Sequence, residues 1–365
     1  MVEKNNRVLV AMSGGIDSSI AALMLVEQGY ELVGMTMKTW DYSESGTSSK
    51  ETGCCSLDSI NDARELAVAN GFPHYIIDIR DEFGDRIISD FVSEYLIGRT
   101  PNPCILCNTF MKWEALLKRA DELNCYHIAT GHYAQMKEEN GRYFITKGID
   151  GGKDQSYVLW GVSQENIKRT LFPLGSYHKP QIRELAIKHG YDNLAKKSES
   201  YEICFIPDND YRGFLKREVD GLEERVKDGE FVTSDGKVVG KHQGFPFYTI
   251  GQRKGLVAMG KPYYVNNIDA ETNRVVIGPM DELWGDKMLV GKINWQKYDK
   301  IEDGMLVDVQ IRHHDPGAPA KLYNDANGSI RVEFTDKVSA ITPGQSAVFF
   351  EGDDVIAGGF IAAKL

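Results

Sequence analysis

As far as residue 131, runs of apolar and β-branched residues alternate with stretches in which apolar side chains recur every three or four positions. The runs RVLVAM (7–12), ELVGMTM (31–37), HYIID (74–78) and YHIATG (126–131) predict buried strands, and residues 19–28, 57–70, 82–97 and 108–123 predict helices. Such alternation predicts an α/β fold, a doubly wound parallel sheet covered by helices. Two longer loops interrupt it, a serine-rich one over 41–53 and GRTPNPCILCN over 98–108. Loops of that length inside a compact domain are usually functional or mobile. Next come a hairpin, YAQMKEENGRYFIT, with Asn140-Gly141 at its turn, and helices to about residue 194. Beyond about residue 230 the segments are short and β-rich, punctuated by Asp235-Gly236, Asn327-Gly328 and Pro343-Gly344. The expected chain has three parts: an α/β catalytic domain over 1–208, a small mixed connecting domain over 209–280 and a C-terminal β-barrel over 281–365.

Composition supports real cores in a chain of 365 residues, since 42% are hydrophobic and 26% charged, which excludes disordered and fibrous classes. The opening MVEKNNRVLVAMSGG holds too short an apolar run for a signal core or a membrane span, so a cytoplasmic location without membrane partners is expected. Six cysteines, Cys54, Cys55, Cys104, Cys107, Cys125 and Cys204, would be kept reduced there, and close spacing among them suggests redox or metal chemistry before disulfides. A net charge of −11 argues against indiscriminate adhesion to nucleic acid. It leaves room for a local basic track, from Lys188 with Lys196 and Lys197 or from Arg253 with Lys254, although scattered surface charge explains each equally well.

The chemistry starts directly after the first strand, where Ser13-Gly14-Gly15-Ile16-Asp17-Ser18-Ser19 opens a helix. Glycines let backbone N–H groups close on phosphate oxygens, serine hydroxyls add donors, and the helix N-terminus adds partial positive charge. Asp17 could hold Mg²⁺ against those phosphates. The Gly-Lys-Ser/Thr ending of a Walker loop is missing, so γ-phosphate transfer of that type is not implied. The bland alternative is a tight strand-to-helix turn. SGGIDSS resembles the pyrophosphate loop of the N-type ATP pyrophosphatases, which activate substrates by AMP transfer. That resemblance names the activation step and leaves the substrate open.

Cys104 and Cys107 form a Cys-x-x-Cys pair in a proline-restricted segment, a spacing that can lower a thiol pKa, form a disulfide or ligate metal. Cys204, flanked by apolar residues in Ser200-Tyr201-Glu202-Ile203-Cys204-Phe205-Ile206, reads by itself as a buried core thiol or as a working one. Together with SGGIDSS, the stretches GRTPNP, LCN, ATGHYA, KDQSY, ICFI, FYTIGQRKGL and TPGQSAVF resemble, in order, the tRNA-specific 2-thiouridylases. The resemblance implies an ATP-dependent enzyme that replaces the C2 oxygen of the anticodon wobble uridine with sulfur. Ala11, Met12, Ser13, Gly14, Gly15, Ile16, Asp17, Ser18, Met37 and Gly131 would then lie along ATP. Cys107 would be the nucleophile and Cys204 the persulfide carrier, loaded by a sulfur-donor protein. Asn102, Pro103 and Cys104 would face the target base, while His132, Lys153, Asp154, Gln155, Arg312, His313 and Gln345 would touch tRNA.

One position departs from that pattern: most such proteins carry aspartate where this chain has Cys104. Cys104, Cys107 and Cys204 could therefore ligate a [4Fe–4S] cluster through three irons, or Cys104 could be a spare or resolving thiol in a purely organic relay, which oxygen-stable persulfide chemistry favours. Two other readings compete. A C–N bond-forming synthetase would need the phosphate loop but neither Cys107 nor Cys204, and an RNA-binding module would need neither loop nor thiols.

Overall fold

The computed structural model describes residues 3–40, 56–197, 203–313 and 315–365. The serine-rich loop over 41–53, Cys54 and Cys55 lie outside the described residues, as do Ser200, Tyr201 and Glu202. The chain divides into two units. The first comprises Met1–Arg86, Cys104–Asn209 and Asp353–Val355; the second comprises Ile87–Pro103, Asp210–Gly352 and Ile356–Leu365.

The first unit is built on β1 (Arg7–Ala11), β2 (Glu31–Lys38), β3 (His74–Asp78) and β4 (His127–Ala129). A hairpin follows, β5 (Ala134–Glu139) and β6 (Arg142–Lys147), turning at Asn140-Gly141 as expected, and then the short β7 (Thr170–Leu171). The parallel sheet has the order β3-β2-β1-β4-β7. Val8, Leu9 and Val10 in β1 are fully buried, as a central strand covered on both faces requires. Helix α1 (Ile16–Glu27) supplies Ile20, Ala21 and Leu25 to this core, and α2 (Leu57–Ala69) supplies Ala63 and Leu66. Because the chain leaves β1 in one direction along the sheet and resumes on its other side with β4, the strand order reverses beside β1. Ligands of open α/β sheets bind at such a switch point, outside the carboxyl ends of the strands.

The Cys-x-x-Cys segment corrects one expectation. Residues 98–108 were expected to be loop throughout, but helix begins at Pro103 and continues through Cys107–Ala115, whose turns are π-helical, to Leu116–Glu122. Proline suits the first helical position because its missing N–H has no partner there anyway.

The second unit holds a four-stranded sheet of β8 (Gly229–Val232), β9 (Val238–His242), β10 (Tyr264–Asp269) and β11 (Arg274–Gly278), ordered β10-β11-β8-β9. Its other sheet is a barrel of β12 (Trp284–Trp295), β13 (Met305–Gln310), β14 (Ala318–Asn324), β15 (Ile330–Ser339), β16 (Ser346–Glu351) and β17 (Asp354–Lys364). The order β12-β15-β14-β13-β16-β17 closes through pairing of β12 with β17. Alternate residues, such as Ala320 and Leu322 of β14 and Ile330 and Val332 of β15, point into the barrel core. The fold class is thus a doubly wound α/β part followed by a mixed domain and a β-barrel.

Candidate active site

Backbone geometry shapes a cradle at the end of β1. Met12 N donates to Met35 O at 2.8 Å and Thr36 Oγ1 donates to Met12 O at 2.7 Å, which ties the strand end to β2. Gly14 has φ +68°, and a Cβ there would stand 1.9 Å from the carbonyl oxygen of Ser59 in α2. Only glycine fits both conditions. Ser13 N donates to Ser18 Oγ at 3.1 Å, and the two hydroxyls are 3.2 Å apart, so the loop folds over the first turn of α1. Ser13 is exposed, whereas Gly14, Ile16 and Ser18 are buried and Ala11, Gly15, Asp17 and Met37 are half-buried. Gly131, just beyond β4, leaves space against the same helix end: a Cβ on it would lie 2.7 Å from Ser18 N. Ala11 to Ser18 and Gly131 therefore meet at the sheet's switch point, where N-terminal N–H groups can face an anion.

Asp17 stands at this helix end already neutralised. Lys179 Nζ donates to Asp17 Oδ1 and Oδ2 at 2.7 and 2.8 Å, and the Tyr133 hydroxyl donates to Oδ1 at 2.7 Å. Lys179 is 6% exposed and its ammonium also lies 5.7 Å from the centre of the Tyr133 ring. Lys197 donates to Gly14 O at 3.0 Å and pairs with Asp62. Sequence reasoning missed Lys179 altogether and took Lys197 only as part of a basic stretch. The separation of 162 residues between Asp17 and Lys179 hides the pair from any local pattern.

Of the thiols, Cys104 is exposed and Cys107 half-buried. Three residues apart on one helix, they share a face. Desolvation pushes the Cys104 thiol pKa up, against the pull of the Lys112 ammonium, an effect that the exposure of the residue keeps small. The Cys-x-x-Cys spacing thus does not make Cys104 acidic. Cys204 is exposed, while its neighbours Phe205 and Ile206 are 2% exposed and anchor the turn that carries it. Phe205 packs edge-on against Phe83 at 5.8 Å and against Trp40 at 6.4 Å. Cys204 is not a buried core thiol. Cys125 is: it is fully buried, and desolvation pushes its pKa up to about 11. Among the described residues, no three His, Cys, Asp or Glu side chains are grouped to hold a metal ion, so Cys104, Cys107 and Cys204 do not form one ligand set here.

Residues expected to touch tRNA divide by accessibility. Arg312 and His313 are exposed, and Asn102 and Lys153 are half-buried. Asp154 turns inward, accepting from Gly148 N at 2.9 Å and from the Ser156 hydroxyl at 2.6 Å. Gln155 accepts from Tyr133 N at 3.0 Å, which secures Tyr133 beside Asp17. Gln345 donates to Thr100 O and Pro101 O at 3.0 Å each, bracing the segment that ends in Asn102 and Pro103. His132 is 9% exposed, lies 2.9 Å from Thr130 Oγ1 and packs on Trp113. Burial holds its pKa well below the usual imidazole range, with the Lys112 ammonium acting in the same direction, so the ring is neutral at pH 7.

The family model described as tRNA methyl transferase HUP domain matches residues 6–208. Models described as tRNA methyl transferase PRC-barrel domain and aminomethyltransferase beta-barrel domain match 213–279 and 285–361. The tRNA-specific 2-thiouridylase MnmA of Amoebophilus asiaticus is 64% identical over 99% of this chain and 96% of its own. The chain belongs to the tRNA-specific 2-thiouridylases. Other 2-thiouridylases agree along the same length: that of Cytophaga hutchinsonii is 59% identical over 100% of this chain and 99% of its own, and that of Salinibacter ruber 54% over 99% and 95%. A solved 4-thiouridine synthetase–RNA complex with bound ATP covers 58% of this chain and 50% of its own at 16% identity and TM-score 0.37, too slight a likeness to bear on this 2-thiouridylase. Among the described residues no helix is long and apolar enough to cross a membrane.

Proposed function

We propose that the chain uses ATP to adenylate the C2 oxygen of the wobble uridine in a tRNA anticodon and then replaces that oxygen with sulfur from a cysteine persulfide. The observation that carries the reading lies within the first unit: a phosphate cradle without a Walker lysine shares that unit with an exposed thiol, Cys204, on a turn anchored by buried neighbours. The uridine O2 attacks the α-phosphorus of ATP, pyrophosphate leaves, and AMP on O2 becomes the leaving group. Backbone N–H groups from Ser13 to Ser18 and the N-terminus of α1 oppose the charge that develops. Asp17 fits the Mg²⁺ that accompanies ATP in charge and position, provided that its carboxylate is shared with or released by Lys179; the metal would supply further charge neutralisation.

A persulfide-carrying donor protein loads Cys204. The terminal sulfur attacks C2 and expels AMP, which joins the base to Cys204 through a disulfide. Cys107 then attacks Cys204 Sγ, breaks that bond and leaves sulfur on the base. The Cys107–Cys204 disulfide that remains takes two electrons from an external dithiol before the next cycle. No step passes through an iron–sulfur cluster, because the three thiols do not fit one as a group. Asn102, Pro103 and Cys104 would face the base, with Lys153, Arg312 and His313 on the RNA. The work divides among a catalytic part over 1–208, a connecting part over 209–280 and a barrel over 281–365, in the cytoplasm.

Incubation with ATP, tRNA and a persulfide donor should give pyrophosphate and 2-thiouridine at the wobble position on nucleoside analysis. Pyrophosphate formed with a small substrate in place of tRNA would favour a synthetase. Production of neither pyrophosphate nor thiolated nucleoside would leave only an RNA-binding role.

A further inference from the structure

On a chain of net charge −11, one concavity in the second unit stands out by its sign. About 770 Å³ in volume, it is lined by Arg212, Gln252, Arg253 and Lys254, three cations and one amide, and among the described residues no carboxylate lines it. One cation is held in place and the other two stand on a braced turn. Arg212 Nε donates to Phe247 O at 2.8 Å, and the guanidinium lies 5.4 Å over the ring of Tyr211, itself stacked on Tyr95 at 4.9 Å. Those contacts use one edge of the guanidinium and leave its terminal NH₂ groups without a hydrogen-bonding partner among the described residues.

Arg253 and Lys254 ride on a turn closed from inside. Thr249 N donates to Gln252 Oε1 at 3.2 Å, Gln252 Nε2 donates to Lys254 O at 2.7 Å, and Val265 N donates to Gln252 O at 3.0 Å. Gln252 is consumed by this bracing, while Arg253 and Lys254 are exposed and form no ion pair among the described residues. Arg212, already held, loses little freedom on meeting phosphate, and its guanidinium offers a fork that matches phosphate oxygens, while the braced turn fixes the backbone from which Arg253 and Lys254 reach out.

The geometry points to this concavity as a second-unit site for the sugar–phosphate backbone of the tRNA, apart from the residues expected to face the target base. The inference rests on tRNA being the substrate. Each phosphate neutralised contributes roughly 0.7–0.9 to the slope of log K against log salt, equivalent to roughly five- to eightfold in affinity at 0.1 M salt.

The test is tRNA binding by the full chain across a salt series, with R253Q/K254Q against wild type. Arg212 is left in place because it also braces Phe247. The double variant should melt as the wild type does, bind tRNA roughly 25- to 60-fold more weakly at 0.1 M salt, and lose roughly 1.4–1.8 from the salt slope. The charge-conserving R253K/K254R should keep both. Wild-type binding with an unchanged Kd and slope in R253Q/K254Q would overturn the site alone. Failure of the wild type to bind tRNA would overturn the substrate reading and the site with it, and equal losses in both double variants would show that charge is not what the turn supplies.

Discussion

Replacing Lys179 by methionine removes the cation that both carboxylate oxygens of Asp17 accept from, at 2.7 and 2.8 Å. At an effective dielectric near 20, the gross attraction of such a pair is about 6 kcal/mol. Most of that is offset by desolvation of an ammonium whose side chain is 8% exposed. Asp17 is 34% exposed, so the net cost of the variant falls between the about 0.2–1 kcal/mol of surface pairs and the about 3–5 kcal/mol of broken buried ones. About 1–3 kcal/mol is expected, a fall of about 2–12 °C in Tm at the scale usual for units of this size. The variant also leaves an unneutralised carboxylate beside the phosphate loop. Against a phosphate charge about 6 Å away at a dielectric near 40, that amounts to about 1.4 kcal/mol, or about tenfold weaker binding of ATP without Mg²⁺, the condition in which no metal takes up the freed carboxylate. Thermal melting and nucleotide titration read the two effects separately. Asp17→Asn combined with Lys179→Met should cost less stability than the two single changes added, by about 1–2 kcal/mol. A Lys179→Met protein with wild-type Tm and wild-type ATP affinity would refute the reasoning.

Ser13→Ala and Asp17→Asn should each suppress pyrophosphate release by about a hundredfold while folding survives, as circular dichroism would check. Cys204→Ser and Cys107→Ser should each abolish thiolation and keep ATP binding, with a persulfide probe still labelling Cys204 in the Cys107 variant; labelling of Cys125, buried and with a thiol pKa of about 11, would contradict the assignment. Cys104→Asp should retain thiolation, measured by nucleoside analysis, because among the described residues this thiol is not grouped with two further metal-ligating side chains. His242 has its pKa pushed down to about 4 by desolvation, so the unfolded chain binds a proton that the folded one refuses; stability should fall as pH drops from about 6.5 toward 4, and pH-dependent melting should flatten in His242→Asn.

Local patterns revealed most of the framework. β1, expected over 7–12, spans Arg7–Ala11, because a buried parallel strand is a continuous apolar run; β3 has the expected limits but not the expected burial, since it is the edge strand and leaves Tyr75 and Ile76 exposed. The Asn140-Gly141, Asp235-Gly236 and Asn327-Gly328 signals each fall between paired antiparallel strands. What escaped was tertiary. The prolines around Cys104 suggested loop, yet a proline at a helix start reads the same as one in a turn until the following hydrogen bonds are known. The partners of Asp17 come from Tyr133 and Lys179, 116 and 162 residues away, and no spacing rule ties them together, whereas the bond from Ser156 to Asp154 spans two residues and follows the local Asx pattern.

Closure of the barrel between β12 and β17 also sets a timetable. The strand that begins at Trp284 must wait for the one that ends at Lys364 before its outer ladder is satisfied, so the barrel cannot close until β17 has left the ribosome. Until then two adhesive edges are presented to every other nascent copy nearby. Truncations that spare all the chemistry but remove β17 are therefore expected to be lost to aggregation, a vulnerability that involves neither the cysteines nor the phosphate loop.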